Sequence, residues 1–196
     1  MDTGHYFDTS PGAASAPRSV TLTLPDLTVE LRTDRGVFSA DRVDPGTRLL
    51  LLEAPPPPPT GAVLDLGCGY GAITVALARR APGATVWAVE VNARARELTE
   101  DNARAAGVAN VRVVAPGDVP PDLRFAAIYS NPPIRVGKAG LHGLLDTWVP
   151  RGEVCWLVVS KHLGADSLAG WMTAERGWAV ERLVSRVSYR VLEVRP

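Results

Sequence analysis

Val63-Leu64-Asp65-Leu66-Gly67-Cys68-Gly69-Tyr70-Gly71 reads as a buried strand running into a glycine-rich turn, with a helix following. Glycines in such a turn permit positive φ and let a ligand approach the backbone closely. Read alone, Gly67, Gly69 and Ala72 also satisfy the G-x-G-x-x-A form of a dinucleotide loop, so the turn by itself does not name its ligand. Asp65, two residues ahead of the first glycine, tips the balance. A carboxylate there attracts an ammonium group or organises its water, whereas a pyrophosphate at the helix start would be repelled.

Outward from this turn the pattern alternates. Strands are expected at 62–66, 85–90, 110–114, 125–130, 153–159, 178–184 and 188–194, with helices near 71–81, 94–107, 139–148 and 163–175. Such alternation predicts an α/β fold with a mostly parallel sheet covered by helices on both faces. Only Ser185, Arg186 and Val187 separate the last two strands, too few for a parallel crossover, so the chain closes with an antiparallel hairpin. That departs from the nicotinamide-binding Rossmann arrangement.

Upstream, residues 20–32 alternate apolar and polar on either side of Pro25-Asp26, as a half-buried hairpin would. Gly36-Val37-Phe38-Ser39 connects it to a short helix over 46–53, which the prolines Pro55 to Pro59 cannot continue. The expected organisation is an N-terminal β element with a helix at 1–54, a stiff proline-rich connector at 55–61 and a main domain at 62–196.

Two further segments carry chemistry. Glu90 ends the strand Val86-Trp-Ala-Val-Glu90, 23 residues after Gly67, where a carboxylate accepts two hydrogen bonds from a ribose diol; Val91 follows it. Asp118, in Ala115-Pro-Gly-Asp118, is a candidate for an adenine amino group and equally a turn-forming residue. Ile128-Tyr-Ser-Asn131-Pro132-Pro133-Ile134 puts an amide and two prolines at a strand's carboxyl end, the ligand-binding edge of an open α/β sheet. An exocyclic amine on a base or amide is conjugated and weakly nucleophilic. The Asn131 side-chain oxygen and the Pro132 carbonyl can each accept one of its hydrogens, orienting the nitrogen and stabilising positive charge as it develops. The prolines, Pro133 included, hold both acceptors at low entropic cost. The segment alone is also a common rigid turn.

Composition bounds the rest. The 196 residues carry 21 basic and 21 acidic groups and are 46% hydrophobic, which fits one soluble core and excludes disordered and supercharged classes. Apolar stretches fall far short of the ~20 residues that span a bilayer, and the opening Met1-Asp-Thr-Gly-His5 shows no secretory pattern, so a cytoplasmic location is expected. Cys68 and Cys155 lack a second Cys or a His at metal spacing, and no metal is expected. Residues 131–196 carry 9 basic and 6 acidic groups against 12 and 15 before them, compatible with an anionic substrate over the C-terminal half or with ordinary solvated faces.

Together, Asp65 to Gly71 and Asn131-Pro-Pro-Ile134 resemble the class I S-adenosylmethionine (SAM)-dependent N-methyltransferases. More narrowly, Gly36-Val-Phe-Ser39, Asp44, Gly46-Thr47, Leu50-Leu51 and Tyr189-Arg-Val-Leu192 resemble the small-domain family that includes RsmC-type ribosomal RNA guanine-N2 methyltransferases; His5-Tyr-Phe7 is similar to its short single-domain branch. The resemblance implies a Rossmann-like methyltransferase sheet with one antiparallel strand, SAM as cofactor, RNA or a ribosomal subunit as partner, and guanine N2 as the leading target. It implies cofactor contacts from Asp65, Gly67, Cys68, Gly69, Gly71, Glu90, Val91, Asp118, Asn131 and Thr47. It places Phe38, Asp44 and Ile134 near the target base, Ile134 standing where many relatives carry an aromatic residue. Arg135 and Lys138 can grip a neighbouring phosphate or be merely solvated. Adenine N6 and a protein glutamine amide satisfy the same Asn-Pro-Pro chemistry. A nicotinamide-dependent oxidoreductase and a non-catalytic binding subunit are the readings of another class.

Overall fold

The computed structural model describes residues 14–133, 136–186 and 188–196. Its centre is a seven-stranded sheet built from β3 (Gly61–Leu66), β4 (Ala84–Val89), β5 (Val111–Val114), β6 (Ala127–Ser130), β7 (Cys155–Ser160), β8 (Ala179–Arg186) and β9 (Tyr189–Arg195), in the order β5-β4-β3-β6-β7-β9-β8. All pairings are parallel except those of β9, which runs antiparallel to both β7 and β8. The expected terminal hairpin is present, and its second strand is the inner one. Leu192 and Val194 are buried whereas much of β8 is exposed, so the more apolar strand takes the interior position.

Each strand feeds both faces because successive side chains alternate. Val63, Val86, Tyr129, Trp156, Val158 and Val191 face one core; Leu64, Leu66, Ile128, Cys155, Leu157 and Leu192 face the other. The first core is covered by α1 (Pro45–Glu53) and α2 (Ala72–Arg80), with α3 (Ala93–Ala105) beside them. The second is covered by α4 (Gly137–Trp148) and α5 (Ala165–Arg176). Helix boundaries follow local chemistry. Asp44 caps α1 by accepting the Thr47 N–H, with Pro45 opening the helix, and Asn92 caps α3 through the Ala95 N–H.

The N-terminal hairpin, β1 (Arg18–Thr23) with β2 (Thr28–Thr33), turns Val20, Leu22, Val29 and Leu31 into the same core as α1 and α2. Polar clamps complete the attachment. The Arg80 guanidinium donates to both oxygens of Asp26 at the hairpin turn and to the Leu51 carbonyl. Asn102, on α3 and 1% exposed, accepts from the Arg32 N–H and donates to the Arg32 and Tyr70 carbonyls, tying β2 to the glycine turn.

Asn102→Ala therefore leaves the buried Tyr70 carbonyl and the part-buried Arg32 backbone groups without this partner, and should lower unfolding free energy by about 1 to 3 kcal/mol in urea denaturation. Arg104→Ala, one helical step away on the exposed surface, should stay within about 0.5 kcal/mol.

Candidate functional site

At the carboxyl edge of β3, β4, β6 and β7 lies a cleft of about 790 Å³. The glycine turn forms its floor. The N–H groups of Gly67 and Cys68 both donate to the Val89 carbonyl at 2.8 and 3.2 Å, bending the chain from β3 across the end of β4. Gly67 and Gly69 adopt φ of 76° and 57°, in the left-handed region where a side chain is strained. A Cβ on Gly69 would meet nothing within 4 Å, so the backbone here borders open space. A Cβ on Gly67 would lie 3.8 Å from Pro133, which places the glycine turn directly against the Asn-Pro-Pro segment.

Glu90, on the cleft wall and 5% exposed, accepts the Gly69 N–H at one oxygen and the Asn92 N–H at the other, both at 3.0 Å. Its carboxylate is thus fixed with lone pairs left over for a ligand. Val91, an exposed apolar residue, lines the wall beside it. From α3, Thr99 donates to the Gly69 carbonyl while Asn102 takes that of Tyr70.

Asn131 stands at the end of β6. Its Nδ2 donates to Asp44 Oδ1 at 2.9 Å and to Thr47 Oγ1 at 3.0 Å. An amide nitrogen carries two hydrogens, so both are committed and the side-chain oxygen is the group left for the cleft. A carboxylate only accepts, which fixes the amide's orientation. The Pro133 carbonyl takes the Val136 N–H and closes the turn into α4.

Of the residues singled out from sequence, Phe38, Asp44, Thr47, Gly67, Cys68, Gly69, Glu90, Val91, Asn131, Pro132 and Pro133 come together on this wall. Others do not. Asp65 is wholly buried and does not line the cleft, because strand alternation turns it toward α2, where it accepts from the Thr74 hydroxyl at 2.5 Å. Gly71 lies behind the wall as the left-handed residue at the start of α2. Asp118 sits exposed on a short 3₁₀ turn whose Pro116, not its carboxylate, reaches the cleft. Lys138 is exposed at the start of α4 and lines a separate, smaller pocket. Ile134, Arg135, His5 and Tyr6 lie outside the described residues. Thr47, on the cleft wall as expected of a ligand-binding residue, also holds the Asn131 amide.

Sequence reading missed the α3 residues Thr99 and Asn102, which a buried helical stripe with Ala95 and Ala103 would have exposed, and the cleft residues Trp148 and Arg42, whose spacing gave no signal; Tyr189, quoted there only for the family resemblance, lines the cleft as well.

Burial pushes the Asp65 carboxyl up to about 7, the nearby Glu90 charge adding to the rise and the Thr74 hydrogen bond opposing it. Burial also raises both thiols, which favours the protonated form of Cys68 and Cys155. Among the described residues no His, Cys, Asp and Glu group could hold a metal ion, and no helix is long and apolar enough to cross a membrane.

The family described as "Methyltransferase small domain" matches residues 28–192. The Bacillus subtilis protein YbxB, itself uncharacterised, is 35% identical over 170 residues, covering 83% of this chain and 84% of that protein. A ribosomal RNA small subunit methyltransferase C from Shewanella amazonensis is 36% identical over 162 residues, covering 79% of this chain and 47% of its own length. The chain thus spans under half the length of the curated methyltransferase C relatives it matches. The Thermus thermophilus 16S rRNA N2 G1207 methyltransferase RsmC, solved with AdoMet and guanosine, superposes with a TM-score of 0.78 at 27% identity over 94% of this chain and 52% of that one.

The Asp65 shift has a checkable sign. An unfolded Asp titrates near 3.8 and the folded one near 7. Between those values the unfolded chain releases a proton that the folded chain keeps, so this residue's contribution to stability is full at low pH and is lost as pH rises toward 7. Urea midpoints from pH 4 to 8 should show wild type losing stability relative to Asp65→Asn across that window and running parallel above it. A difference independent of pH would mean Asp65 is ionised throughout.

Proposed function

Because this chain belongs to the methyltransferase small-domain family, we propose that it methylates an exocyclic amine of RNA, with guanine N2 of ribosomal RNA as the target. The cofactor is SAM, the compound held by the Thermus thermophilus neighbour. When bound, SAM supplies an electrophilic methyl group on a sulfonium. The residues present fit it: the open space over Gly69 admits a ligand against the backbone, and the fixed Glu90 carboxylate keeps free lone pairs for a ribose diol. Val91 adds an apolar surface beside that carboxylate.

One observation carries the reading. Asn131 commits both amide hydrogens to Asp44 and Thr47, which leaves its oxygen as an acceptor at the junction of the glycine turn and the Asn-Pro-Pro segment. An acceptor without a competing donor suits a neutral amine, whose hydrogens it takes while the lone pair turns to the methyl donor. The Pro132 carbonyl is assigned the second hydrogen. Phe38, 40% exposed on the cleft wall, offers a ring face for the target base, a role that Ile134 has no ring to fill. No side chain is asked to act as general base, since the methylated ammonium loses its proton to water.

Incubation with labelled SAM and total RNA, ribosomal subunits and a protein extract, followed by nucleoside and peptide mass spectrometry, tests the assignment. Label in N2-methylguanosine is the expected result; label in N6-methyladenosine or in glutamine would overturn the target, and none at all the activity. Asn131→Ala should lower kcat about 10²- to 10³-fold with SAM affinity near wild type. Glu90→Gln, which keeps an acceptor but removes the charge, should weaken SAM binding by about tenfold in calorimetry.

A further inference from the structure

Asp44 reaches the cleft from the segment before the connector, and its surroundings are built around its carboxylate. One oxygen, Oδ1, accepts both the Thr47 N–H at 3.1 Å and the Asn131 Nδ2 hydrogen at 2.9 Å. Gly46 follows Pro45, and a Cβ there would lie 2.8 Å from the Tyr189 ring and 2.9 Å from Asp44 Oδ1. The missing side chain is what lets Tyr189 of β9 close over the carboxylate. Burial and then the Asp44 charge raise the Tyr189 hydroxyl, and a hydrogen bond with the Asp44 side chain adds to the rise. A helix cap alone requires one acceptor for Thr47 and neither of these other contacts.

From this geometry we infer that Asp44 is a positioning residue for methyl transfer, acting through Asn131: its charge fixes the amide and strengthens the amide oxygen as the acceptor for the substrate amine. The inference rests on the amine-methylation reading above. Its physical basis is the conjugation of the amide. A hydrogen donated from Nδ2 to a carboxylate shifts electron density toward the amide oxygen, and linked hydrogen bonds of this kind reinforce one another in a low-dielectric site. As the amine nitrogen becomes positive, the strengthened oxygen stabilises it more than the neutral ground state, which is the condition for raising kcat rather than affinity. With the orientation set by the acceptor-only carboxylate, Thr47 takes the other Nδ2 hydrogen and leaves the amide oxygen for the substrate.

The assay uses the full chain with labelled SAM and unmodified ribosomal RNA transcribed in vitro. Asp44→Asn retains a capping oxygen that can accept from Thr47 and Asn131, so fold and geometry persist while the charge is lost. Its kcat should fall tenfold or more, with the RNA KM and the SAM dissociation constant within twofold of wild type. Thr47→Val should show the same split and Thr47→Ser should recover it, whereas a purely structural role would move stability and both binding constants together. Independently of turnover, the two Asn131 side-chain amide protons in a ¹⁵N-labelled sample, assigned by their loss in Asn131→Asp, should respond separately: one to Asp44→Asn and the other to Thr47→Val. Unchanged amide protons in Asp44→Asn overturn the inference, as does kcat within twofold of wild type while Asn131→Ala has lost activity, an outcome that leaves the amine reading standing. Full turnover in Asn131→Ala would instead remove that reading itself.

Discussion

Strand β3 hydrogen-bonds β4 on one side and β6 on the other, both in parallel; the connection from β3 leads outward to β4, and that from the neighbouring β6 leads the opposite way to β7. Connections departing to opposite sides cannot cover the same edge, so a crevice is left at the carboxyl end of β3. The candidate site is arranged around that crevice. The glycine turn leaves β3, Glu90 leaves β4 and Asn131 leaves β6, so residues distant in the chain meet because three neighbouring strands end together. The closeness of Gly67 to Pro133 is a consequence of the same pairing.

Holding a crevice open exposes backbone groups that a sheet would otherwise pair, and here buried polar side chains satisfy them. Glu90 takes the N–H groups of Gly69 and Asn92, Thr99 and Asn102 take the carbonyls of Gly69 and Tyr70, and Ser130 takes that of Leu66. Each of these side chains is nearly or wholly buried, in positions where an apolar residue would leave unpaired groups costing about 1 to 3 kcal/mol apiece. The polar residues are therefore the material from which the turn's shape is made. Asp65 is the exception. One of its oxygens is buried with no hydrogen-bond partner, and the carboxyl responds by holding its proton to about pH 7.

The parallel sheet, its antiparallel last strand and the five helical stretches were legible because they rest on local periodicity and connection length. Glu90 and Asn131 were legible for a related reason: strand ends carry the ligand edge, and a strand's end shows in sequence as the point where an apolar run stops. Asp65 is turned away from the cleft surface by the same periodicity. Two residues before Gly67 was read as near the ligand, yet side-chain alternation directs that position under α2. Thr99 and Asn102 escaped because polar residues on a helix read as solvent-facing unless the neighbouring buried stripe is counted. The partnership of Asn131 with Asp44 and Thr47 spans more than 80 positions, and no local rule addresses it.

That long-range partnership changes what the N-terminal segment is. Its hairpin shares a core with α1 and α2, the Arg80 clamp fixes its turn, and Asn102 joins it to the glycine turn. Tyr129 donates to the Pro55 carbonyl, so the proline run is itself tied to the central strand that ends in Asn131. The proline run follows α1, so this bond fixes the end of that helix against β6, while its start carries Asp44 and Thr47 against the amide. Proline stiffness, hairpin burial and helix capping thus converge on one side chain, each removing freedom that the amide would otherwise have to lose when a substrate arrives.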